Sequence, residues 1–335
     1  MKRFVLLVLL LLLSGCSEQT QSVGGPPPFA TLATGLDAPW SISTDGERFF
    51  ISERTGNIVR VDPDGRAVRE SVTLSQPLST AAEAGLMGFV LRPDFRTSRS
   101  AYAYYTYDSD GIPVNRIVTL SYNGSTWREQ DILLDGIRSG QVHHGGRLAL
   151  SPDGTLYATI GDGARPESAQ DPNSWNGKII ALQENGSFRV ISSGHRNPQG
   201  LAWDEDRTLF ASEHGQTAND EINKIVPGTN YGWPIVQGRE TRIGMEPPLL
   251  TSDPSETWAP SGMAFHKGLL YVAALRGQAV LVIDPAQAEV VDRIEGFGRV
   301  RDVFSDGQSL YFITNNTDGR GSPSRDDDRL IQFGT

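Results

Sequence analysis

The chain has 335 residues, a formal net charge of −10 and a single cysteine. An acidic chain without a run of basic residues is not expected to bind nucleic acid, and one cysteine excludes an internal disulfide. The 36 glycines, the 20 prolines and the short apolar segments favour many strands and turns over long helices.

The N-terminus has the pattern of an export signal. Residues 1–15 combine a basic start with an unbroken apolar run, which is typical of a signal peptide and too short to span a membrane. The segment LSGC resembles the bacterial lipobox, so we predict that Cys16 is lipidated. Ser17 follows where aspartate would suggest inner-membrane retention. We therefore expect an outer-membrane lipoprotein facing the periplasm, with a Gram-positive surface lipoprotein as the alternative. Residues 16–28 end in glycine and proline and should form a flexible tether.

A unit of two short strands joined by a turn recurs six times in the remaining chain. The copies begin at Pro39, Gly85, Gly146, Gly200, Gly262 and Val300. In most copies a turn such as Asp-Gly separates an apolar strand from one rich in aromatic and β-branched residues, which is the pattern of a hairpin. A third strand follows each copy, in the segments GNIVRVD, NRIVTLSY, GKIIALQ, EINKIV, AVLVID and RLIQF.

Such a unit cannot bury its faces alone, and radial packing of six units solves this problem. We therefore predict an all-β, six-bladed β-propeller over residues 29–335. The chain begins with a lone strand at 29–36 and ends on a third strand, so the N-terminal strand should close the last blade. A β-sandwich or a stack of hairpins is the alternative, which the sixfold repeat disfavours.

Polar residues concentrate where first strands begin and second strands end, positions that meet on one face of a propeller. Before first strands stand Glu83, His143, Arg147, Arg196, Asn197, residues 258–261, Arg299 and Arg301; after second strands stand Glu53, Asp162, His214 and Arg276. Four of the five histidines, His143, His144, His195 and His214, fall at this rim. Converging arginines imply an anionic ligand, unless they pair with acids such as Asp302 and Glu53.

Several motifs occur in one order along the chain: HHGGRLALSPDGTLYATIGDG, GHRNPQGLAW, SEHG, DEINKIVPGTNYGWP, APSGMAF and RVRDV. Together they resemble the pyrroloquinoline quinone (PQQ)-dependent soluble aldose dehydrogenases, the glucose/sorbosone dehydrogenase family, from about Gly35 to the C-terminus. The resemblance implies a six-bladed propeller that oxidises aldose sugars at C1 to the lactone with bound PQQ and calcium.

The resemblance also implies roles for individual residues. His143, the first histidine of HHGGR, resembles the catalytic base, and Asp162 the acid that orients it; His144 occupies a variable position. Arg196 and Asn197 resemble the pair at the quinone. Arg299 and Arg301 look like the clamps on its carboxylates.

Two calcium positions follow from the same resemblance. Gly215 and Gln216 stand where backbone carbonyls bind the quinone's calcium, and Glu221 with Tyr231 resembles a second, structural site. Three positions depart from some members: Glu83 replaces glutamine and adds a negative charge near an anionic cofactor, Arg276 replaces lysine, and His214 replaces glutamine.

The implied chemistry assigns proton abstraction to neutral His143, with Asp162 stabilising the imidazolium. Electrons would leave to an external acceptor, such as a quinone pool or a cytochrome, since the sequence contains no CxxCH haem motif. Only the lipid anchor would contact a membrane. Trp203 and Trp233 are interpreted as core residues.

Three alternatives remain from the sequence. The first is a calcium-dependent lactonase-type hydrolase, which would hold its metal on acidic and amide side chains. The second is a zinc site built from His143, His195 and His214. The third is a non-catalytic propeller that binds carbohydrate or protein.

Overall fold

The computed structural model describes residues 29–334, so the predicted signal peptide, Cys16 and the tether lie outside the described residues. Within this range the chain forms 25 strands, one α-helix (Phe95–Ser98) and one 3-10 helix (Pro166–Ala169). The predicted all-β class is confirmed. No helix in this part of the chain is long and apolar enough to cross a membrane.

Each predicted hairpin is present as an antiparallel strand pair. The first strands are β2 (Pro39–Thr44), β6 (Leu86–Leu91), β10 (Gly145–Leu150), β14 (Pro198–Trp203), β19 (Pro260–His266) and β23 (Val300–Ser305). The second strands are β3 (Phe49–Glu53), β7 (Ser100–Ser109), β11 (Leu156–Ile160), β15 (Leu209–Glu213), β20 (Leu269–Ala274) and β24 (Leu310–Thr314). The third strands are β4 (Asn57–Val61), β8 (Ile112–Tyr122), β12 (Lys178–Leu182), β16 (Glu221–Ile225), β21 (Ala279–Asp284) and β25 (Leu330–Phe333).

Outer strands, which the sequence patterns did not single out, extend these units. They are β5 (Ala67–Thr73), β9 (Trp127–Arg138), β13 (Phe188–Ser193), β17 (Thr229–Asn230), β18 (Leu250–Thr251) and β22 (Glu289–Glu295). Most residues of β5 and β22 are exposed or half-buried, so these strands carry little apolar periodicity. Residues 72 and 73 of β5 pair in parallel with residues 127 and 128 of β9. This short contact joins the first two units into one sheet of eight strands, in the order β2-β3-β4-β5-β9-β8-β7-β6.

The N-terminal strand β1 (Phe29–Ala33) pairs antiparallel with β25, with Phe29 opposite Phe333. The resulting sheet has the order β1-β25-β24-β23. The other sheets have the orders β10-β11-β12-β13-β17, β14-β15-β16-β18 and β19-β20-β21-β22. The first and last strands of the described chain therefore belong to one sheet.

The six first strands also contact one another in chain order, and β23 returns to contact β2. Glycine permits this close approach. A Cβ atom at Gly88 would lie 2.3 Å from the Gly146 carbonyl oxygen, and one at Gly200 would lie 2.3 Å from that of Ser261. Gly88, inside β6, and Gly200, which opens a repeat, therefore permit neighbouring first strands to pack closely on each other.

The apolar core lies between neighbouring units. Phe50 of β3 and Phe89 of β6 pack edge to face against Trp127 of β9, at ring-centroid distances of 5.8 and 5.1 Å. A comparable buried cluster combines Phe210 of β15 with Leu270 of β20. Because the apolar side chains fill these interfaces, polar residues concentrate at the ends of the first strands.

Every first strand has a register shift against its second strand near its start. The shifts fall between Pro39 and Ser41, Leu86 and Phe89, Gly145 and Leu148, Pro198 and Gly200, Pro260 and Met263, and Val300 and Asp302. Bulges of this kind bend a strand and redirect its side chains. They lie next to the predicted site residues, which precede the same strands.

Candidate active site

His143 and Asp162 form a hydrogen-bonded pair between the start of β10 and the end of β11. His143 Nδ1 lies 2.8 Å from Asp162 Oδ1, and its Nε2 lies 3.0 Å from Arg196 Nη2. A guanidinium can only donate, so Nε2 is an acceptor and the ring proton sits on Nδ1, donated to Asp162. This tautomer leaves the lone pair of Nε2 on the side opposite the carboxylate, as a general base requires.

Asp162 is fully buried and has two further donors. The Ala164 N–H donates to its Oδ1 at 2.8 Å, and the Trp233 indole N–H donates to its Oδ2 at 2.9 Å. Trp233 is buried, as its interpretation as a core residue predicts, but its hydrogen bond to Asp162 was not predicted. The signal was faint, because Trp233 lies 71 positions from Asp162 and follows no first or second strand.

Arg196 and Asn197 precede β14 and reach the same pair. The Arg196 guanidinium lies over the Trp233 ring, 5.4 Å from its centroid, and donates to the His214 carbonyl oxygen at 3.3 Å. Asn197 is buried, and its Oδ1 accepts the Gly145 N–H at 3.0 Å. Arg196 thus touches the base directly, whereas Asn197 fixes the backbone just after it.

His195 does not stand at the rim, which corrects the sequence expectation. It is fully buried, with Nδ1 2.8 Å from Glu213 Oε2 and Nε2 2.8 Å from Ser192 Oγ. Its ring stacks on Tyr231 at 5.0 Å. Since both ring nitrogens already have partners, His195 is not available for a zinc site with the other histidines. Residues 29–334 contain no group of three or more His, Cys, Asp or Glu side chains arranged to hold a metal.

Arg299 and Arg301 share one carboxylate that sequence reasoning missed. Asp318 Oδ2 lies 2.9 Å from Arg299 Nη2 and 3.8 Å from Arg301 Nη2. Arg301 also donates to Gln199 Oε1 at 3.0 Å and to Asn315 Oδ1 at 3.1 Å. Burial lowers the pKa of Arg301 to about 9. One carboxylate for two arginines leaves a net positive charge here, which would stabilise an anion.

The predicted pairing of arginines with acids is partly realised elsewhere. Asp302 pairs with Arg147 at 3.0 Å, and the Arg147 guanidinium lies 4.3 Å from the Trp40 ring centroid. Glu53, however, binds Arg69 at 2.6 Å rather than a rim arginine. The positive charge of Arg147 is therefore neutralised by Asp302.

A cavity of about 760 Å³ opens beside these groups. Its lining includes Glu83, His214, Arg276, Arg299 and Arg320. A smaller cavity shares Glu83, His214 and Arg320 with it and is also lined by Trp40, Arg54, His144 and Arg301. Burial lowers the pKa of His214 to about 4, so its ring is neutral at pH 7. Arg276 is exposed at the edge.

Five buried polar atoms near this space have no hydrogen-bond partner within residues 29–334. They are Nε of Arg196, Arg299 and Arg301, and Nε2 of His144 and His214. Unpaired buried polar atoms are costly unless a ligand or water satisfies them. The three arginine atoms are donors, so the site is suited to an anion.

The predicted calcium residues lie in and near a small cavity lined by Arg196, Glu213, His214, Gly215, Asn219, Glu221, Tyr231 and Trp233. Burial, followed by repulsion from Glu213, raises the pKa of Glu221 to about 8. The Tyr231 hydroxyl is occupied, donating to the Lys224 carbonyl oxygen at 2.6 Å. Gln216 is exposed. Glu221 is thus a half-buried carboxylate without a cationic partner in residues 29–334.

The structure brings most of the predicted residues into two connected groups. His143, Asp162, Arg196 and Asn197 are linked by direct or next-neighbour contacts, and Arg299 and Arg301 by Asp318. Sequence reasoning missed Trp233, Asp318 and Arg320. The last two lie in the long loop between β24 and β25, where no strand register predicts a direction.

The fold and site define an all-β protein in which a histidine is held by a buried carboxylate near an arginine-lined cavity. The chain belongs to the glucose / sorbosone dehydrogenase family, whose model matches residues 36–322. This confirms the resemblance identified from the motifs.

Relatives and solved structures agree with this assignment. The chain is 33% identical to quinoprotein glucose dehydrogenase B of Acinetobacter calcoaceticus, over 64% of this chain and 53% of that protein. It is 28% identical to aldose sugar dehydrogenase YliI of Escherichia coli (strain K12), over 85% and 89% of the two chains. The PQQ-bound aldose sugar dehydrogenase from Streptomyces coelicolor superposes with a TM-score of 0.84 and 36% identity, covering 92% of this chain and 99% of that one.

Proposed function

We propose that this protein is a PQQ- and calcium-dependent dehydrogenase that oxidises aldose sugars at C1 to the lactone and passes the electrons to an external acceptor. The observation that carries the proposal is the His143–Asp162 pair, with the acceptor Nε2 of His143 turned away from the carboxylate. Sugar oxidation is also supported by the names of the relatives.

In the proposed reaction the C1 hydroxyl of the sugar donates its proton to His143 Nε2, and the C1 hydrogen leaves with its electron pair. The proton on Nδ1 stays hydrogen-bonded to Asp162, which stabilises the imidazolium. Arg196 occupies Nε2 at 3.0 Å without a ligand, so the sugar hydroxyl must displace this contact. When bound, PQQ with calcium would supply the two-electron acceptor that side chains lack.

The residues fit an anionic quinone such as PQQ, which carries three carboxylates. Arg299 and Arg301 share a single intramolecular carboxylate and keep unpaired Nε donors. Arg196 adds a third unpaired donor beside the base. These three arginines would hold the carboxylates and the quinone oxygens.

Calcium fits the small cavity beside Glu221. The raised pKa of this half-buried carboxyl indicates that its anion lacks a compensating charge, and oxygen ligands suit calcium. We propose Glu221 with Tyr231 for a structural ion, and the carbonyls of Gly215 and Gln216 for the ion at the quinone.

We further propose that the sheets are six blades of a propeller, with β1 closing the last blade. This proposal is supported by the cyclic contacts of the six first strands and by the pairing of β1 with β25. The sheet of eight strands would be two blades joined through β5 and β9.

The N-terminal pattern supports a cellular location. We propose that the protein is exported, lipidated at Cys16 and anchored to the outer membrane facing the periplasm, so that residues 29–335 act as the catalytic domain on a tether. Metabolic labelling with a palmitate analogue, compared between the wild type and Cys16→Ala, would test this location.

The function is tested by dye-coupled oxidation of a panel of aldoses with the full-length protein purified in detergent. Activity should require both PQQ and calcium, be lost on chelation, and yield the lactone. PQQ binding without oxidation of any aldose would favour the binding propeller, whereas hydrolysis of sugar lactones without PQQ would favour the lactonase.

A further inference from the structure

Glu83, just before β6, joins two distant parts of the chain. Its Oε2 accepts the backbone N–H of His143 at 3.0 Å, and its Oε1 accepts Nη1 of Arg320 at 2.9 Å. Burial by itself would raise the pKa of Glu83, but these two donors outweigh it and lower the pKa to about 2. The carboxylate is therefore ionised at neutral pH and engaged on both oxygens.

The backbone that Glu83 holds is strained. His143 has a φ of +64°, a left-handed conformation that is unfavourable for a residue with a Cβ atom. Its carbonyl oxygen accepts the Gly163 N–H at 3.1 Å. A Cβ atom at Gly161 would lie only 2.0 Å from that oxygen. With its N–H bound by Glu83 as well, the peptide of His143 is fixed on both sides.

This conformation directs the imidazole to its partner. With the backbone fixed, His143 Nδ1 reaches Asp162 and only 18% of the side chain remains exposed. Releasing the N–H would leave a buried donor unpaired and remove one of the restraints that keep the strained conformation. The position of the base therefore depends on an acceptor at residue 83.

A carboxylate at position 83 also places a negative charge at the cavity, and Arg320 pairs with this charge. Glu83 lines the main cavity, where a free negative charge would repel an anionic ligand. The contact with Arg320 cancels that charge. A glutamine at this position would accept the same N–H through its amide oxygen without needing an arginine.

We infer that Glu83 is a positioning residue for His143, and that Arg320 neutralises Glu83 so that its charge does not oppose an anionic cofactor. The inference rests on the proposed function of His143 as the base. It separates two properties of Glu83: acceptance of a hydrogen bond, which supports turnover, and negative charge, which affects cofactor binding.

Four variants separate these properties: Glu83→Gln, Glu83→Ala, Arg320→Gln and the double variant Glu83→Gln/Arg320→Gln. Glu83→Ala should lower kcat by about ten- to a hundredfold with little change in KM, because the base is displaced. Glu83→Gln should stay within about threefold of wild type. Arg320→Gln should weaken PQQ binding, measured by calorimetry, by about tenfold, and the double variant should restore it. Arg325→Gln, an exposed arginine of the same loop, is the matched control and should change neither property.

A measurement without cofactor keeps this test independent of the proposed function. In the full-length protein labelled with ¹⁵N-histidine, Glu83→Ala should speed hydrogen exchange of the His143 amide by at least tenfold, and Glu83→Gln should not. If the wild type shows no PQQ-dependent oxidation, the proposed function fails and this measurement still decides the inference. Should Glu83→Ala fail to fold, Arg320→Gln and the double variant decide it through PQQ affinity. Wild-type exchange in Glu83→Ala, or equal loss of kcat in the Ala and Gln variants, would overturn it.

Discussion

The His143–Asp162 pair and the Arg299–Arg301 pair, which we call the histidine side and the arginine side of the site, differ in how completely their polar groups are satisfied. On the histidine side, both oxygens of Asp162 and both ring nitrogens of His143 have partners. On the arginine side, Asp318 serves both Arg299 and Arg301, whose Nε atoms have no partner in residues 29–334. The His143–Asp162 pair is thus organised before any ligand binds, whereas the Nε donors of Arg299 and Arg301, like that of Arg196, are left for a ligand or water.

The largest effect should follow from removing the base. His143→Ala should lower kcat at least a hundredfold while PQQ affinity stays within a few-fold, because general-base catalysis contributes about 10²–10⁴. Steady-state dye reduction with calorimetry of PQQ binding measures both. A wild-type kcat in His143→Ala would contradict the assignment of His143 as the general base.

On the arginine side, a substitution should weaken PQQ binding rather than act mainly on kcat. Arg299→Gln should weaken PQQ binding by about a hundredfold, since a hydrogen bond to a charged group contributes about 1.5–3 kcal/mol. Arg293→Gln provides a matched control, because Arg293 pairs with Glu256 at 2.6 Å outside the cavity. Unchanged PQQ affinity in Arg299→Gln would contradict the account of this side.

Trp233 allows a finer test of the histidine side. Trp233→Phe keeps the ring under Arg196 but removes the N–H donor to Asp162, so kcat should fall about tenfold with PQQ affinity nearly unchanged. Trp203→Phe is the control, since Trp203 packs edge to face on Tyr157 at 5.2 Å. Equal kcat values for Trp233→Phe and Trp203→Phe would contradict a role for the Trp233 N–H in the site.

The smallest effect concerns stability and comes from the second histidine of the pair. Burial lowers the pKa of His144 from 6.5 to about 4, so the unfolded chain binds its proton first and stability falls as the pH drops from 6.5 toward 4. His144→Gln should reduce this loss in the free energy of unfolding by about 2 kcal/mol. His214 should contribute to the loss that remains. Urea unfolding of the wild type and of His144→Gln at pH 7 and pH 4.5 measures this difference. An equal drop in unfolding free energy between the two pH values in both proteins would contradict a buried, neutral His144.

The sequence predicted the parts of the fold that follow from short-range pattern. Apolar segments separated by Asp-Gly or equivalent turns located the six hairpins, and the ends of their strands located His143, Asp162 and Arg196. The outer strands β5 and β22 were not predicted, because most of their residues are exposed or half-buried and their sequences lack apolar alternation. His195 was misplaced because position relative to a strand does not determine whether a side chain points into the cavity or into the core behind it.

The missed site residues share a physical reason. Asp318 and Arg320 lie in a loop whose path depends on tertiary contacts, and Trp233 reaches Asp162 from another part of the chain. A pattern of strands and turns contains no information about such contacts. Asp318 and Arg320 lie outside the motifs that carry the family resemblance, whereas Trp233 lies inside one of them, GTNYGWP, and was interpreted as a core residue.

The central claim is that bound PQQ takes electrons from a sugar whose proton goes to His143. We would load the full-length protein with PQQ and calcium under anaerobic conditions and follow the PQQ absorbance after adding protiated or C1-deuterated glucose. The account predicts reduction in one turnover, slower with the deuterated sugar and at least a hundredfold slower in His143→Ala. Reduction at the wild-type rate in His143→Ala, or PQQ that stays oxidised with every aldose tested, would contradict it.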